Sequence, residues 1–207
     1  MDLNKIIQEI AILAPPFLLA LTVHEYAHGL VAWRLGDPTA RNQGRLSLNP
    51  LKHLDPLGVL AFFIMKIGWA KPVPVDARYF QNPRQGMIRV ALAGVTANMI
   101  LAVLSGLVLR LLLPLAGLLP AAVAFPLLQM LAASVWINIM LAVFNLIPIP
   151  PLDGSRVVQN LLPPDLARFY GRLEPVGFIL LLALFYTGVL PSLMRPLISF
   201  AHGLILG

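Results

Sequence analysis

LTVHEYAHGLVAW, residues 21–33, sets two histidines and a glutamate inside a run that is apolar on both sides. An ionisable side chain at the centre of a bilayer costs about 2.5 kcal/mol or more on insertion scales. Such residues persist in a greasy helix when they coordinate, relay or catalyse. His24, Glu25 and His28 make the pattern H-E-x-x-H. On a helix, residues four apart stand one turn apart on the same face. Two imidazoles so placed converge on one ion, at about 2.0–2.1 Å each if the ion is Zn²⁺. Glu25 points off that face, where it meets water beside the metal rather than the metal itself, as a general base does. The competing reading is three core polar residues satisfied by neighbouring helices. Burial within a membrane span favours the functional one.

The rest of the chain supports a membrane span. Of 207 residues, 58% are hydrophobic, and mean hydropathy is +0.82. Only 12% are charged, against about 25% in soluble domains. A soluble domain of this length cannot hide so much apolar surface, so the chain reads as a polytopic membrane protein. The net charge of +6 comes with no nucleic-acid motif. The positive-inside bias accounts for it. With no cysteine, any metal must be held by His, Asp or Glu. Residues 10–23 are apolar but lack the basic flank and small-residue cleavage site of a signal peptide, so they read as part of a retained helix.

The expected fold class is all-α: about four to six membrane helices, a re-entrant segment, and a short β-hairpin or edge strand near the cytoplasmic face. It forms one intramembrane domain over residues 1–207. Residues 6–34 make the helix that carries H-E-x-x-H, with Pro15 and Pro16 kinking it or delaying its regular part. Residues 57–80 form a re-entrant or strand element, because the apolar run VLAFFIMKIGWA is too short to span and KPVPVDARYFQNP alternates. Residues 87–113 and 121–147 span, and residues 176–199 form a C-terminal membrane segment. If 57–80 is re-entrant, 12 of the 15 basic residues fall on one face. That face is then cytoplasmic. His28 lies six residues before Arg34, which puts the histidine pair roughly 10–15 Å below that face.

Two histidines leave a catalytic zinc one protein ligand short. His53 sits in a polar loop and His202 near an interface. Asp153 stands out in PLDG, just past the proline-broken end of a spanning helix. Broken backbone at membrane depth is tolerated where it lines a cavity. An Asp there is either a ligand or one residue of a surface Asp-Gly turn.

HEYAH and NLIPIPPLDG, residues 145–154, together resemble the site-2 protease family of intramembrane zinc metalloproteases, peptidase family M50. The family's second motif, N-x-x-P-x-P-x-L-D-G, is met at Asn145, Pro148, Pro150, Leu152, Asp153 and Gly154. GRLSLNPLKHLDPLG, GWAKPVPVD and ALAGVTAN look similar too, so the resemblance covers roughly residues 21–158. It implies that His24, His28 and Asp153 bind one Zn²⁺ per chain and that Glu25 is the general base. Asn145 would position substrate or stabilise the oxyanion, or else satisfy backbone freed by the prolines. Asn98 would end near the same site with the same substrate or oxyanion role, or glue helices as a buried amide; the family often has Pro where this chain has Val95. His53 and Asp55 match a family loop that gates the site or contacts the metal, against the reading of a solvated loop.

The activity so implied is intramembrane endopeptidase action on transmembrane segments of single-pass membrane proteins. The partners are those segments and the lipid bilayer, with no nucleic acid, and the oligomeric state is left open. The location is a bacterial or archaeal plasma membrane, with the active site toward the cytoplasm. The form is minimal, without the PDZ or CBS domains that members often carry. GWAKPVPVD is a candidate edge that holds an unwound substrate by strand addition, through Val73 and Val75. A metal transporter or sensor would line several helices with acidic or histidine relays. An inactive scaffold homologue would be expected to lose Glu25 or a ligand.

Overall fold

The computed structural model of the chain describes residues 3–65 and 68–207, and side chains outside 62–67. The described residues form nine α-helices: α1 (Leu3–Arg34), α2 (Thr39–Asn42), α3 (Pro56–Met65), α4 (Pro83–Leu112), α5 (Ala121–Asn145), α6 (Asp153–Leu161), α7 (Pro164–Gly171), α8 (Glu174–Tyr186) and α9 (Val189–Leu206). Among the described residues, four stretches are long and apolar enough to cross a membrane: α1, α4 with its 3₁₀ continuation (Pro83–Leu118), α5 and α9. α7 and α8 meet at 63° and make a fifth if the bent pair counts as one span. α1 runs through Pro15 and Pro16 as one assigned helix.

The helices start where capping chemistry allows. The Asn82 side chain accepts from Gln85 N at the head of α4, with Pro83 in the first turn. Asp55 Oδ1 accepts from the backbone N–H groups of Leu57 and Gly58 at the head of α3. α1, α4 and α5 pack on one another. Small residues line their contact: Ala20 and Ala32 on α1, Ala91, Gly94 and Ala102 on α4, Ala142 on α5, all buried. With lipid as apolar as leucine, close backbone approach and polar contacts hold helices together. α9 closes the bundle, with Ile205 lying where a Cβ on Gly106 would be.

One expectation needs correction. Among the described residues there is no strand and no β-hairpin, only an isolated antiparallel bridge between Leu54 and Ala70. The physical reason is visible in KPVPVD. Pro72 and Pro74 have no N–H to give a ladder. The donors that remain go elsewhere: Lys71 N to His53 O, Val73 N to Glu25, Asp76 N to Asp37. The alternation that mimics a strand belongs to a strap tied down from its sides. The chain leaves Leu54, forms α3 and is back beside Leu54 at Ala70. Lys66 and Ile67, inside the expected re-entrant element, lie outside the described residues.

Candidate metal centre

The site begins with the spacing on α1. His24 and His28 put their rings on the face turned toward α4, with centroids 4.6 Å apart and planes nearly perpendicular at 87°. α4 receives them with one stripe of its own. Val90, Gly94 and Asn98 recur every four residues and so share a face. The Val90 carbonyl accepts from His28 Nδ1 at 2.7 Å. Asn98 Oδ1 accepts from His24 Nδ1 at 2.6 Å. Between them Gly94 leaves room for the His24 ring: a Cβ there would stand 2.5–2.7 Å from three ring atoms.

Asp153 arrives from the other side. α5 ends at Asn145, the prolines at 148, 150 and 151 keep it from continuing, and α6 starts at Asp153. Gly154 makes the return possible, because a Cβ on it would run into the Leu146 and Ile147 carbonyls. The carboxylate thus lies in the first turn of α6, where the helix dipole favours a negative charge. Its Oδ2 is 3.0 Å from His24 Nε2 and 3.2 Å from His28 Nε2, and the two Nε2 atoms are 3.0 Å apart.

That triangle tests whether the residues fit a metal. Each imidazole has its Nδ1 against an oxygen that only accepts, so Nδ1 carries the proton and neutral Nε2 is a bare lone pair. Asp153 Oδ2 is buried and accepts no hydrogen bond. Its short contacts to the rings are therefore lone pair against lone pair. Three lone pairs at mutual distances of 3.0–3.2 Å repel unless a cation lies among them. No single proton serves all three, whereas donors on one tetrahedral Zn²⁺ stand about 3.3 Å apart. His24, His28 and Asp153 are also the one group of three potential ligands that converges among the described residues. The donor set fits a zinc centre, and three protein ligands leave its fourth position to a non-protein ligand.

Glu25 is buried beside the triad, and its Oε2 accepts from Val73 N at 3.1 Å. Asn145 lies at the end of α5 and its Nδ2 donates to Leu141 O, one turn back on its own helix. His53 is fully buried rather than solvated, and its Nε2 donates to Ser47 O. It is not part of the converging group. His202 lies on α9, half-buried. Sequence reading passed over Asn138 on α5, which bonds Asn98, and Asp37, which is fully buried. The only signal for either was a polar residue among apolar or turn-forming neighbours.

Residues 115–184, which contain the second motif, match Peptidase family M50. A protein of Bacillus subtilis named "Putative zinc metalloprotease YwhC" is 39% identical over 91% of this chain and 86% of its own length. Proteins named "Putative zinc metalloprotease Rip2" are 32% identical in Mycolicibacterium smegmatis, over 86% of this chain and 67% of theirs, and 34% identical in Mycobacterium tuberculosis, over 82% and 64%. No solved structure matches the chain. The apolar helices, the motif-bearing stretch and a relative matched over most of both lengths agree: the chain is an integral membrane protein of peptidase family M50, a zinc metalloendopeptidase of the site-2 protease type.

Proposed function

We propose that the protein cleaves peptide bonds within transmembrane segments of single-pass membrane proteins, at a zinc ion held by His24, His28 and Asp153. The observation that carries this reading is the triangle of lone pairs, buried at the meeting of α1, α4 and α6 inside a bundle of membrane-length helices. A zinc ion bound there would act as a Lewis acid, polarising the scissile carbonyl and acidifying water. Glu25 takes the proton from the attacking water and passes it to the leaving amine. The Val73 N–H on Oε2 holds its carboxylate in place, and Oε1 accepts no hydrogen bond among the described residues. Asn145, at the end of α5 beside the proline break, would contact substrate by releasing its amide from Leu141 O. The basic-rich polar loops on the His28 end of α1 support an active site opening toward the cytoplasm.

Lone Glu25 and Asp153 supply no relay of acidic groups along the helices, which speaks against transport, and an intact ligand set and base speak against a silent scaffold. The test compares wild type with Glu25→Gln in detergent, measuring bound zinc and cleavage of a panel of transmembrane substrates. Both proteins are expected to retain zinc near stoichiometry. Cleavage is expected to fall at least about 100-fold in the variant, within the range of general-base contributions. Equal cleavage would remove Glu25 from the mechanism, and a different metal at stoichiometry would remove zinc.

A further inference from the structure

Behind the triad runs a chain of polar side chains that the reaction does not touch. Asn98 and Asn138 are completely buried, and Ser134 and Ser105 nearly so. Asn98 Nδ2 donates to Asn138 Oδ1 at 2.8 Å and to Ala20 O at 3.1 Å. Asn138 Nδ2 donates to Ser134 O at 2.8 Å and reaches Ser134 Oγ at 3.3 Å. Ser134 Oγ pairs with Ser105 Oγ at 2.8 Å. The chain crosses from α1 through α4 to α5 and back to α4.

Its direction is fixed at its far end. Ser134 O is a backbone carbonyl and only accepts, so the NH₂ of Asn138 must face it. The Asn138 oxygen then faces Asn98 and compels the Asn98 NH₂ to face α5. A second carbonyl, Ala20 O, one turn before His24 on α1, enforces the same orientation. Only the Asn98 oxygen is left for His24, so Nδ1 of that ring must hold the proton. Reverse the Asn98 amide and its NH₂ would meet Nδ1, the proton would move to Nε2, and the lone pair aimed at the metal would be gone.

Resting on the reading of His24 as a zinc ligand, we infer that Asn98 and Asn138 are positioning residues, a buried amide relay that fixes the tautomer of His24 and so keeps Nε2 free to bind zinc. Outer hydrogen bonds of this kind commonly govern metal affinity by about 10–100-fold. The relay differs from simple helix glue in what it predicts. Glue is indifferent to which end of Asn98 faces His24; the relay depends on it.

The test uses full-length protein in detergent, labelled with ¹⁵N-histidine. Ring-nitrogen spectra of the metal-free form report the tautomer, and chelator competition reports zinc affinity. Wild type is expected to show His24 protonated at Nδ1. Asn98→Leu is expected to mix the tautomers and weaken zinc binding about 10–100-fold. Asn138→Leu, which leaves Ala20 O in place, should shift both in the same direction by less. Asn98→Asp keeps an oxygen against Nδ1 and should hold the tautomer and most of the affinity. Folded leucine variants with wild-type tautomer and affinity would overturn the relay. So would Asn98→Asp that loses the Nδ1 proton, which remains decisive if a leucine variant fails to fold. Wild type that binds no zinc would instead overturn the metal centre, and the metal-free spectra would still judge the relay.

Discussion

The two sides of the centre are held by different physics. On the bundle side, α4 and α5 present carbonyls, amides and the bare backbone at Gly94, and each of these groups belongs to a long helix. On the loop side, residues 71–76 are an extended strap fastened to Glu25, Asp37 and His53 by single backbone N–H groups. On the proposed reading, the bundle side would hold the ligands in place and the strap would hold the base, through Val73 N on Glu25 Oε2. Zinc affinity and turnover should therefore separate: damage to the bundle side should cost metal, and damage to the strap should cost cleavage with metal retained.

The strongest break on the bundle side is Gly94→Ala. One methyl would stand 2.5–2.7 Å from Cε1, Nε2 and Nδ1 of His24, well inside contact distance. The ring is pinned at Nδ1 by Asn98 and has no small adjustment that keeps Nε2 on Asp153. It must swing off α4, which relieves the fold and empties the triad of one ligand. Zinc affinity should fall by about 100-fold or more, while thermal unfolding shifts little. Chelator competition and a melting curve on the same sample check the pair of outcomes. Wild-type zinc affinity would mean that α4 yields instead, and the bundle side is softer than its packing suggests.

On the strap side, Asp37→Asn is the sharper cut. Asp37 is fully buried, its Oδ1 accepts from Thr39 N at 2.9 Å and its Oδ2 from Asp76 N at 2.7 Å. An amide can serve only one of those donors and turns its own N–H toward the other. An unsatisfied buried donor costs about 1–3 kcal/mol. The strap should loosen at Asp76, three residues past the Val73 N–H that holds Glu25. Cleavage is expected to drop several-fold with zinc content unchanged, and hydrogen exchange should quicken over residues 71–80. A variant that loses zinc and cleavage together would show that the two sides are one unit.

What could be read from the sequence follows the same division. Coordination chemistry restricts residue type and spacing, so HEYAH and PLDG announce side chains that do meet, although 125 residues separate His28 from Asp153. Length and hydropathy announced the helical membrane class for a similarly direct reason. Asn98 was half legible: the amide was noticed, its hydrogen-bond partners were not. Asn138 was invisible, because one amide in an apolar helix has no spacing to betray its partner on another helix. The strap was misread as a hairpin or edge, because V-P-V alternation is shared by strands and by any extended segment. What decides between them is where the N–H groups go, and that depends on Glu25, Asp37 and His53, none of them near in sequence to all of it. Asp37 stands in Gly-Asp-Pro, residues 36–38, a common turn sequence, and nothing local says that its carboxylate is buried.

The smallest effect is expected from the strap's most conspicuous ion pair. Arg78 makes three side-chain contacts of 2.6–3.0 Å to Asp76, yet its own side chain is 90% exposed. Exposed pairs contribute little in water because solvent screens them and holding a long side chain still costs entropy. Arg78→Ala also leaves the second role of Asp76 intact, since Oδ1 still accepts from the backbone N–H at position 78. At neutral pH, zinc content, cleavage and hydrogen exchange over the strap should therefore match wild type. Acid is where the variant differs. The Arg78 guanidinium, aided by its backbone N–H, holds the Asp76 carboxyl below its ordinary range. A carboxyl depressed in the folded state stabilises above its unfolded pKa and loses that contribution as pH falls through the folded value. Without Arg78 the carboxyl protonates nearer the usual value of about 4, so the turn after the strap should begin to open at a higher pH than in wild type. Exchange rates over residues 76–80, followed from pH 7 to pH 3.5, check this. A loss of cleavage at pH 7 would mean that Arg78 acts on the substrate rather than on Asp76.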